Sequence, residues 1–94
     1  MIEVGDFVRW TSQSGGFWKE KRGRVIALVP SGDRIDHVWP GARKVLKSRR
    51  KWSEMFSSNE RAVVEVPRER GGGFDYYAPR LSALEKCSEE GMEI

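Results

Sequence analysis

The sequence predicts a small, mainly β domain in which five short strands close into one barrel, with a short α-helix inserted between the second and third strands. The chain has 94 residues, enough for one domain with one hydrophobic core. Its apolar residues occur in short runs rich in β-branched and aromatic side chains, and glycine and proline separate these runs. We therefore expect a barrel over residues 1–87, a basic helical insertion at about residues 34–60, and an acidic, flexible tail over residues 88–94.

Each predicted strand follows from its local pattern. Apolar and polar residues alternate in the first strand, whereas the second is apolar on both faces, as expected at the centre of a closed sheet. Ala62, Val64 and Val66 share one face of the third strand. Three consecutive glycines form the tip of the hairpin that follows. The strands are expected at residues 7–11, 24–29, 61–67, 74–78 and 83–86, with a long loop at 12–23 and one 3₁₀ turn at 79–82.

The inserted helix is predicted over residues 42–56. Five apolar residues of this segment fit one helical face, with a polar gap at the middle turn. Trp39 and Trp52 are expected to pin the insertion to the barrel. The apolar residues of the predicted face are Val45, Leu46, Trp52, Met55 and Phe56.

The composition limits the possible functions. The single cysteine, Cys87, cannot form an internal disulfide, and with His37 as the only histidine no Cys/His metal cluster is expected. No apolar run is long enough to span a bilayer and the first residues do not resemble a signal peptide, so we expect a cytoplasmic protein without membrane contact. Residues 1–84 carry 16 basic against 10 acidic side chains, a balance that suits an anionic partner and is also common in soluble proteins.

Catalysis finds little support in the sequence. His37 lies near Asp33 and Asp36, but neither a convincing nucleophile nor a second histidine accompanies it. Acidic neighbours disfavour a reactive thiolate at Cys87. We therefore expect a binding protein and not an enzyme, with no cofactor, metal or small-molecule substrate.

The strongest charge feature is a run of six cations within nine residues. Like charges at this density repel one another, and a partner such as a nucleic-acid backbone would relieve the repulsion. The alternative is a solvated helix face. The candidate phosphate-binding residues are Arg43, Lys44, Lys47, Arg49, Arg50 and Lys51.

A second candidate surface combines aromatic rings and cations in the predicted first loop, with one tyrosine of the fourth strand. This combination suits base stacking and cation–π contacts. The alternative is that the loop aromatics fold back as a lid over the core. The candidate residues are Phe17, Trp18, Lys19, Lys21, Arg22 and Tyr77.

The order of the predicted elements is that of an SH3-like barrel, with its long first loop, Gly-rich hairpin and one-turn helix before the last strand. Gly5-Asp6-Phe7-Val8 and Gly23-Arg24-Val25 resemble the KOW motif, an SH3-like segment of several ribosomal proteins and transcription elongation factors, over roughly the first third of the chain. The connection between them is longer than in that motif, and residues 34–60 have no counterpart in it. KOW-containing proteins commonly bind RNA or proteins, so the resemblance implies a binding module.

The segment at residues 76–81 loosely resembles the end of signalling SH3 domains, where an aromatic residue and a proline frame a peptide groove. Those domains use an acidic first loop against basic peptides, and here Lys19, Lys21 and Arg22 replace it.

We therefore predict binding of nucleic acid, either RNA or DNA, through the basic helix and the aromatic loop. The alternative is a protein–protein adaptor or inhibitor, such as a small phage or mobile-element protein that blocks a host complex, for example a defence complex.

Overall fold

The computed structural model describes residues 1–14 and 16–88 of the chain, which are mainly β. These residues contain one α-helix and three 3₁₀ turns, and none of the described helices has the length and apolar composition needed to cross a membrane. The strands are β1 (Phe7–Ser14), β2 (Phe17–Val29), β3 (Asp33–Arg34), β4 (Phe56–Ser57), β5 (Arg61–Pro67), β6 (Phe74–Tyr77) and β7 (Glu85–Lys86); the helix is α1 (Ile35–Val38), and the 3₁₀ turns are Pro40–Arg43, Lys47–Arg49 and Leu81–Ala83.

Five strands form one antiparallel sheet in the order β6-β5-β2-β1-β7, and β3 and β4 form a separate two-stranded ladder. Each of the five strands predicted from the sequence falls within or overlaps a strand of the large sheet. The predicted 3₁₀ turn before the last strand is present at Leu81–Ala83. The acidic tail predicted at residues 88–94 lies, from residue 89 onward, outside the described residues.

Strands β1 and β2 form one long hairpin, paired from Phe7 and Arg24 to Ser14 and Phe17. The prediction of a loop at residues 12–23 is therefore wrong, because most of these residues belong to strands. The tight turn places Gly16 at a φ of +84°, a left-handed conformation that favours glycine. The serine, glutamine and lysine residues here have weak strand preferences, but pairing across the turn satisfies their backbone hydrogen bonds.

Strand β2 then changes partner. Its second half pairs with β5, starting at Arg24 and Glu65. Gly23 stands just before this crossing, and a Cβ atom there would collide with the Glu65 carbonyl and the Val64 side chain. Before Arg24, no described residue of β2 pairs with β5, so the two strands diverge and leave a groove between their hairpins.

Both faces of the large sheet carry a hydrophobic core. Alternation along β5 divides its side chains between them, with Val64 on one face and Val63 on the other. The hairpin-side core consists of Val8, Trp10, Val25, Ala62 and Val64, with Tyr77, Leu81 and Leu84 packed against it. The insertion-side core consists of Ala27, Val29, Ile35, Ala42, Val63 and Ala78, and Trp39 and Trp52 pack against it as predicted.

The amphipathic helix predicted over residues 42–56 is not present. Two separate 3₁₀ turns stand in its place, and Leu46 between them has a ψ of 138°, outside the helical region. The Leu46 side chain is 66% exposed, so the face that the pattern predicted is not a buried face. The backbone N–H of Lys51 donates to the carbonyl of Tyr76 at 2.7 Å, so this segment joins the edge of β6 instead of continuing a helix.

The five-stranded sheet is not closed into the predicted barrel. Its edges are β6 and β7, and no pairing between them occurs among the described residues. Strand β7 pairs only with Val8 and Arg9 of β1. The free edge of β6 is instead met by the insertion, through the backbone contact of Lys51 with Tyr76. The observed architecture is therefore an open antiparallel sheet with a core on each face.

Candidate functional site

A groove of about 830 Å³ lies between the β1–β2 hairpin and the β5–β6 hairpin, and we call it the hairpin groove. It exists because β2 and β5 pair only from Arg24 and Glu65 onward and diverge on the other side of that pair. Residues 19–22 of β2 form one wall, residues 66–70 form the other, and Asp75 and Tyr77 of β6 complete the lining.

The hairpin groove carries an excess of positive charge. Arg22 forms an ion pair with Glu20 at 2.7 Å, and Arg68 lies 3.7 Å from Asp75. Lys19 and Lys21 form no ion pair with any residue that the structure describes, so their charges are open to an anionic ligand. The basic lining residues are Lys19, Lys21, Arg22, Arg68 and Arg70, and the acidic ones are Glu20, Glu69 and Asp75.

Tyr77 lies at the inner end of the hairpin groove, with a defined contact on each side. The Nζ atom of Lys21 is 5.4 Å from the centre of the Tyr77 ring, a cation–π distance. Trp10 meets the same ring edge-on, with centroids 5.7 Å apart and an interplanar angle of 68°. Trp10 and Lys21 are cross-strand partners, which places both side chains on the same face of the sheet. The Tyr77 ring is therefore a fixed wall with a cation over one face.

Tyr77 also lines a second groove of about 430 Å³, which we call the aromatic groove. Hydrogen bonds fix two of its walls: Trp52 Nε1 donates to Met55 Sδ at 3.4 Å, and Arg61 Nη1 donates to the Ala78 carbonyl at 2.6 Å. The lining residues are Trp10, Ile35, Lys51, Trp52, Ser53, Glu54, Phe56, Ser58, Arg61, Tyr77, Ala78 and Pro79.

The predicted aromatic pair Phe17 and Trp18 lies at the end of the β1–β2 hairpin. Their side chains are 72% and 71% exposed, so neither folds back as a lid over the core. Phe17, Lys19 and Lys21 alternate along β2 and share one face of the hairpin. That face leads from the exposed Phe17 ring past two lysines to Tyr77.

Arg43, the first cation of the predicted basic run, is held by a buried carboxylate. The Asp36 side chain is 1% exposed, and it accepts hydrogen bonds from Arg34 Nε at 2.9 Å and Arg43 Nε at 2.7 Å. The bonds from Arg34 and then Arg43 outweigh the effect of burial and hold the pKa of Asp36 well below its usual range. This cluster fixes α1 against the following 3₁₀ turn, so Arg43 has a structural partner.

No acidic partner is found among the described residues for the other five cations of the run. These are Lys44, Lys47, Arg49, Arg50 and Lys51. The run lies beside Tyr76, which packs against Trp39 of the insertion with ring centroids 5.1 Å apart. Adjacent residues of a strand point to opposite faces, so Tyr76 and Tyr77 face different sides of β6. No residue of the basic run lines the hairpin groove, and Lys51 is the member of the run that lines the aromatic groove.

The described residues contain no group of three His, Cys, Asp or Glu side chains that could hold a metal ion. His37 Nδ1 lies 3.9 Å from Asp33 Oδ1; the His37 side chain is largely exposed and that of Asp33 is half-buried. Asp36, the other carboxylate near this histidine in the sequence, points instead to its two arginines. Cys87 is half-buried and its backbone N–H donates to the Phe7 carbonyl.

The aromatic groove was not predicted from the sequence as a site. Its walls come from three distant parts of the chain: Trp10 on β1, residues 51–58 of the insertion, and residues 77–79 after β6. One feature of the sequence is consistent with a groove here: residues 76–81 resemble the end of SH3 domains, where an aromatic residue and a proline frame a groove. The apolar spacing of Trp52 and Phe56 predicts a helix face, so the sequence pattern does not indicate their place in the lining.

Comparisons with protein-family models, with curated proteins and with solved structures found no match for this chain.

Proposed function

We propose that this protein is a non-catalytic module that binds nucleic acid, and that the hairpin groove is its primary site. The observation that carries the proposal is the placement of Lys19 and Lys21, without acidic partners among the described residues, on a face that begins with exposed Phe17 and ends at Tyr77. Cations provide attraction to phosphates by counterion release, and the rings offer surfaces on which bases stack.

A relationship to the SH3-like fold of the KOW kind, with the sheet left open in this chain, is part of the same proposal. Its support is the strand order β6-β5-β2-β1-β7, the hairpin between the first two strands, and the 3₁₀ turn at Leu81–Ala83 before the last strand. The departure from a minimal unit of that kind is the insertion at about residues 34–60, which adds a second core on the far face of the sheet.

The test is fluorescence anisotropy with labelled single-stranded RNA, single-stranded DNA and duplex DNA at about 50 and 200 mM salt. For two or three phosphate contacts the dissociation constant should weaken roughly tenfold over this range. The double variant Lys19→Gln/Lys21→Gln should bind more weakly and should reduce the salt slope by about one to two, because each lost phosphate contact lowers it by about one.

A matched control is available in the basic run. Lys44→Gln/Lys47→Gln removes the same charge from exposed side chains that line neither groove, and it should retain most of the affinity and the salt slope. Equal losses in the two double variants would place the binding on overall charge or on the basic run. Absence of binding to all three probes, or binding that salt does not change, would refute the proposal.

A protein partner is the second candidate function, and the exposure of Phe17 and Trp18 favours it. Two large aromatic side chains, 72% and 71% exposed at the end of a hairpin, are typical anchors of protein interfaces. A pull-down from nuclease-treated lysate separates the two functions. A partner that survives the nuclease and is lost in Phe17→Ser/Trp18→Ser supports an adaptor or inhibitor, such as a phage or mobile-element protein acting on a host complex.

A further inference from the structure

We infer that the nucleic acid bound by this protein is single-stranded, and that the aromatic groove receives one of its unstacked bases. This inference rests on the proposed function. It starts from Tyr77, which lines both the hairpin groove and the aromatic groove, so the two grooves adjoin at this residue. A strand whose phosphates lie beside Lys19 and Lys21 passes directly to the second groove at this residue.

The lining of the aromatic groove favours the flat face of a base. Trp52 and Phe56 supply aromatic side chains to its lining, and Phe56 is 55% exposed. Stacking on such rings requires a base whose own face is free, and in a duplex both faces are covered by neighbouring base pairs. The volume of about 430 Å³ lies within the range of about 300 to 1,000 Å³ of small-molecule sites, so the groove admits a single planar group.

The charges around the aromatic groove suit a negatively charged backbone. Lys51 and Arg61 line it together with one carboxylate, Glu54. Lys51 uses one of its three ammonium donors on the Ser48 carbonyl at 3.1 Å, which leaves donors for a phosphate oxygen. The Ser53 and Ser58 hydroxyls in the same lining can hydrogen-bond the edge of a base. The aromatic groove therefore carries an excess of positive charge, as the hairpin groove does.

The experiment compares a labelled oligothymidylate of about 12 nucleotides with a duplex of about 12 base pairs at the same salt, since single-strand sites span about 4 to 16 nucleotides. The single strand should bind at least tenfold more tightly. Phe56→Ala should weaken single-strand binding roughly fivefold or more, in line with the loss of one stacked base, and should leave duplex binding unchanged. Lys51→Gln, a second variant that removes no apolar contact, should weaken single-strand binding and lower its salt slope.

Phe74→Ala is the matched control, because Phe74 is a partly exposed phenylalanine on β6 that lines neither groove. It should bind both probes as the unmodified protein does. Equal affinities for single strand and duplex, or equal losses for both probes in Phe56→Ala, would overturn the inference while the proposed function stands. Failure to bind either probe would overturn the proposed function itself. Tighter binding of a proline-rich peptide than of the single strand, lost in Phe56→Ala, would assign the aromatic groove to a protein ligand instead.

Discussion

Trp10 and Tyr77 meet edge to face at 5.7 Å although their strands, β1 and β6, are separated in the sheet by β2 and β5. Three strand spacings in a flat sheet amount to about 14 Å, so direct contact requires strong curvature. The bend occurs where β2 changes partner from β1 to β5, next to Gly23. The curvature brings Tyr77 against Trp10, and Tyr77 lines both grooves.

Removing the Trp10 ring should destabilise the whole fold. Trp10 is 7% exposed in the hairpin-side core, and truncation of a buried aromatic residue costs about 3 to 5 kcal/mol. We expect Trp10→Ala to lower the free energy of unfolding by that amount, measured by urea denaturation. Tyr77→Phe keeps the ring and should change it by less than about 1 kcal/mol. Similar values for the two variants would contradict the role assigned to this pair.

Adding one methyl group at Gly23 should also be costly. A Cβ atom at this position would overlap the Glu65 carbonyl and the Val64 side chain, at the point where β2 crosses to β5. We expect Gly23→Ala to reduce the free energy of unfolding by about 1 to 3 kcal/mol, as other overpacked sites do. Thr11→Ala, on an exposed part of the same hairpin, is the control and should change stability by about 0.5 kcal/mol or less. A neutral Gly23→Ala would show that the strands are not held this closely.

The buried carboxylate of Asp36 predicts an acid dependence of stability. Arg34 and Arg43 lower its pKa below the ordinary value of 3.8 in the folded protein. The folded state therefore binds this proton less readily than the unfolded state, and the stabilisation is present above that ordinary value and is lost as the pH falls toward the folded pKa. Asp36→Asn should be less stable at neutral pH, and its urea midpoint should fall less between about pH 4 and pH 2 than that of the unmodified protein.

Asp6 also has a lowered pKa, first because it accepts a hydrogen bond from the Glu3 backbone, and it will contribute to the acid response. Asp6→Asn is therefore the comparison variant. In the unmodified protein the Asp6 carboxyl group is partly exposed and lies 3.3 Å from Lys86 Nζ, so it is not part of a buried cluster. If Asp36→Asn lost as much stability on acidification as the unmodified protein, the ion cluster would not be the origin of the effect.

Hydrogen exchange should distinguish the two halves of β2. Val25, Ala27 and Val29 are buried, whereas residues 17–20 at the end of the hairpin are exposed. Amide protection follows burial and local contact density. We expect exchange of the amides at residues 25–29 to approach the rate of global unfolding, and exchange at residues 17–20 to be faster. Uniform protection along β2 would show that the hairpin is as firmly held as the core.

Strands with clear local patterns could be predicted from the sequence. The run at Arg61–Pro67 is β-branched and ends in proline, and its predicted limits agree with the structure. The hairpin extension to Ser14 could not be predicted, because its residues have weak strand preferences and are held in the strand by pairing with β2 across the turn.

The helix prediction for the insertion was wrong for a related reason. Its apolar spacing fits a helix, but Leu46 and Phe56 are mostly exposed and the Lys51 backbone bonds to Tyr76, which lies far away in the sequence. Tertiary contacts therefore override the local period. The candidate lysines of the hairpin groove were identified as a group, whereas their position against Tyr77 depends on the curvature of the sheet, which no local pattern encodes.

The sheet is a single layer shared by two cores, and Val63 and Val64, neighbours in the chain, belong to different ones. A change of side-chain volume on the insertion side, for example at Ala42 or Ile35, acts on β5, the strand that also supplies the core against which Tyr77 packs. Substitutions on the two faces are then not free to accumulate independently during evolution. A chain that alters its insertion has to compensate across the sheet, so the two surfaces are expected to diverge together.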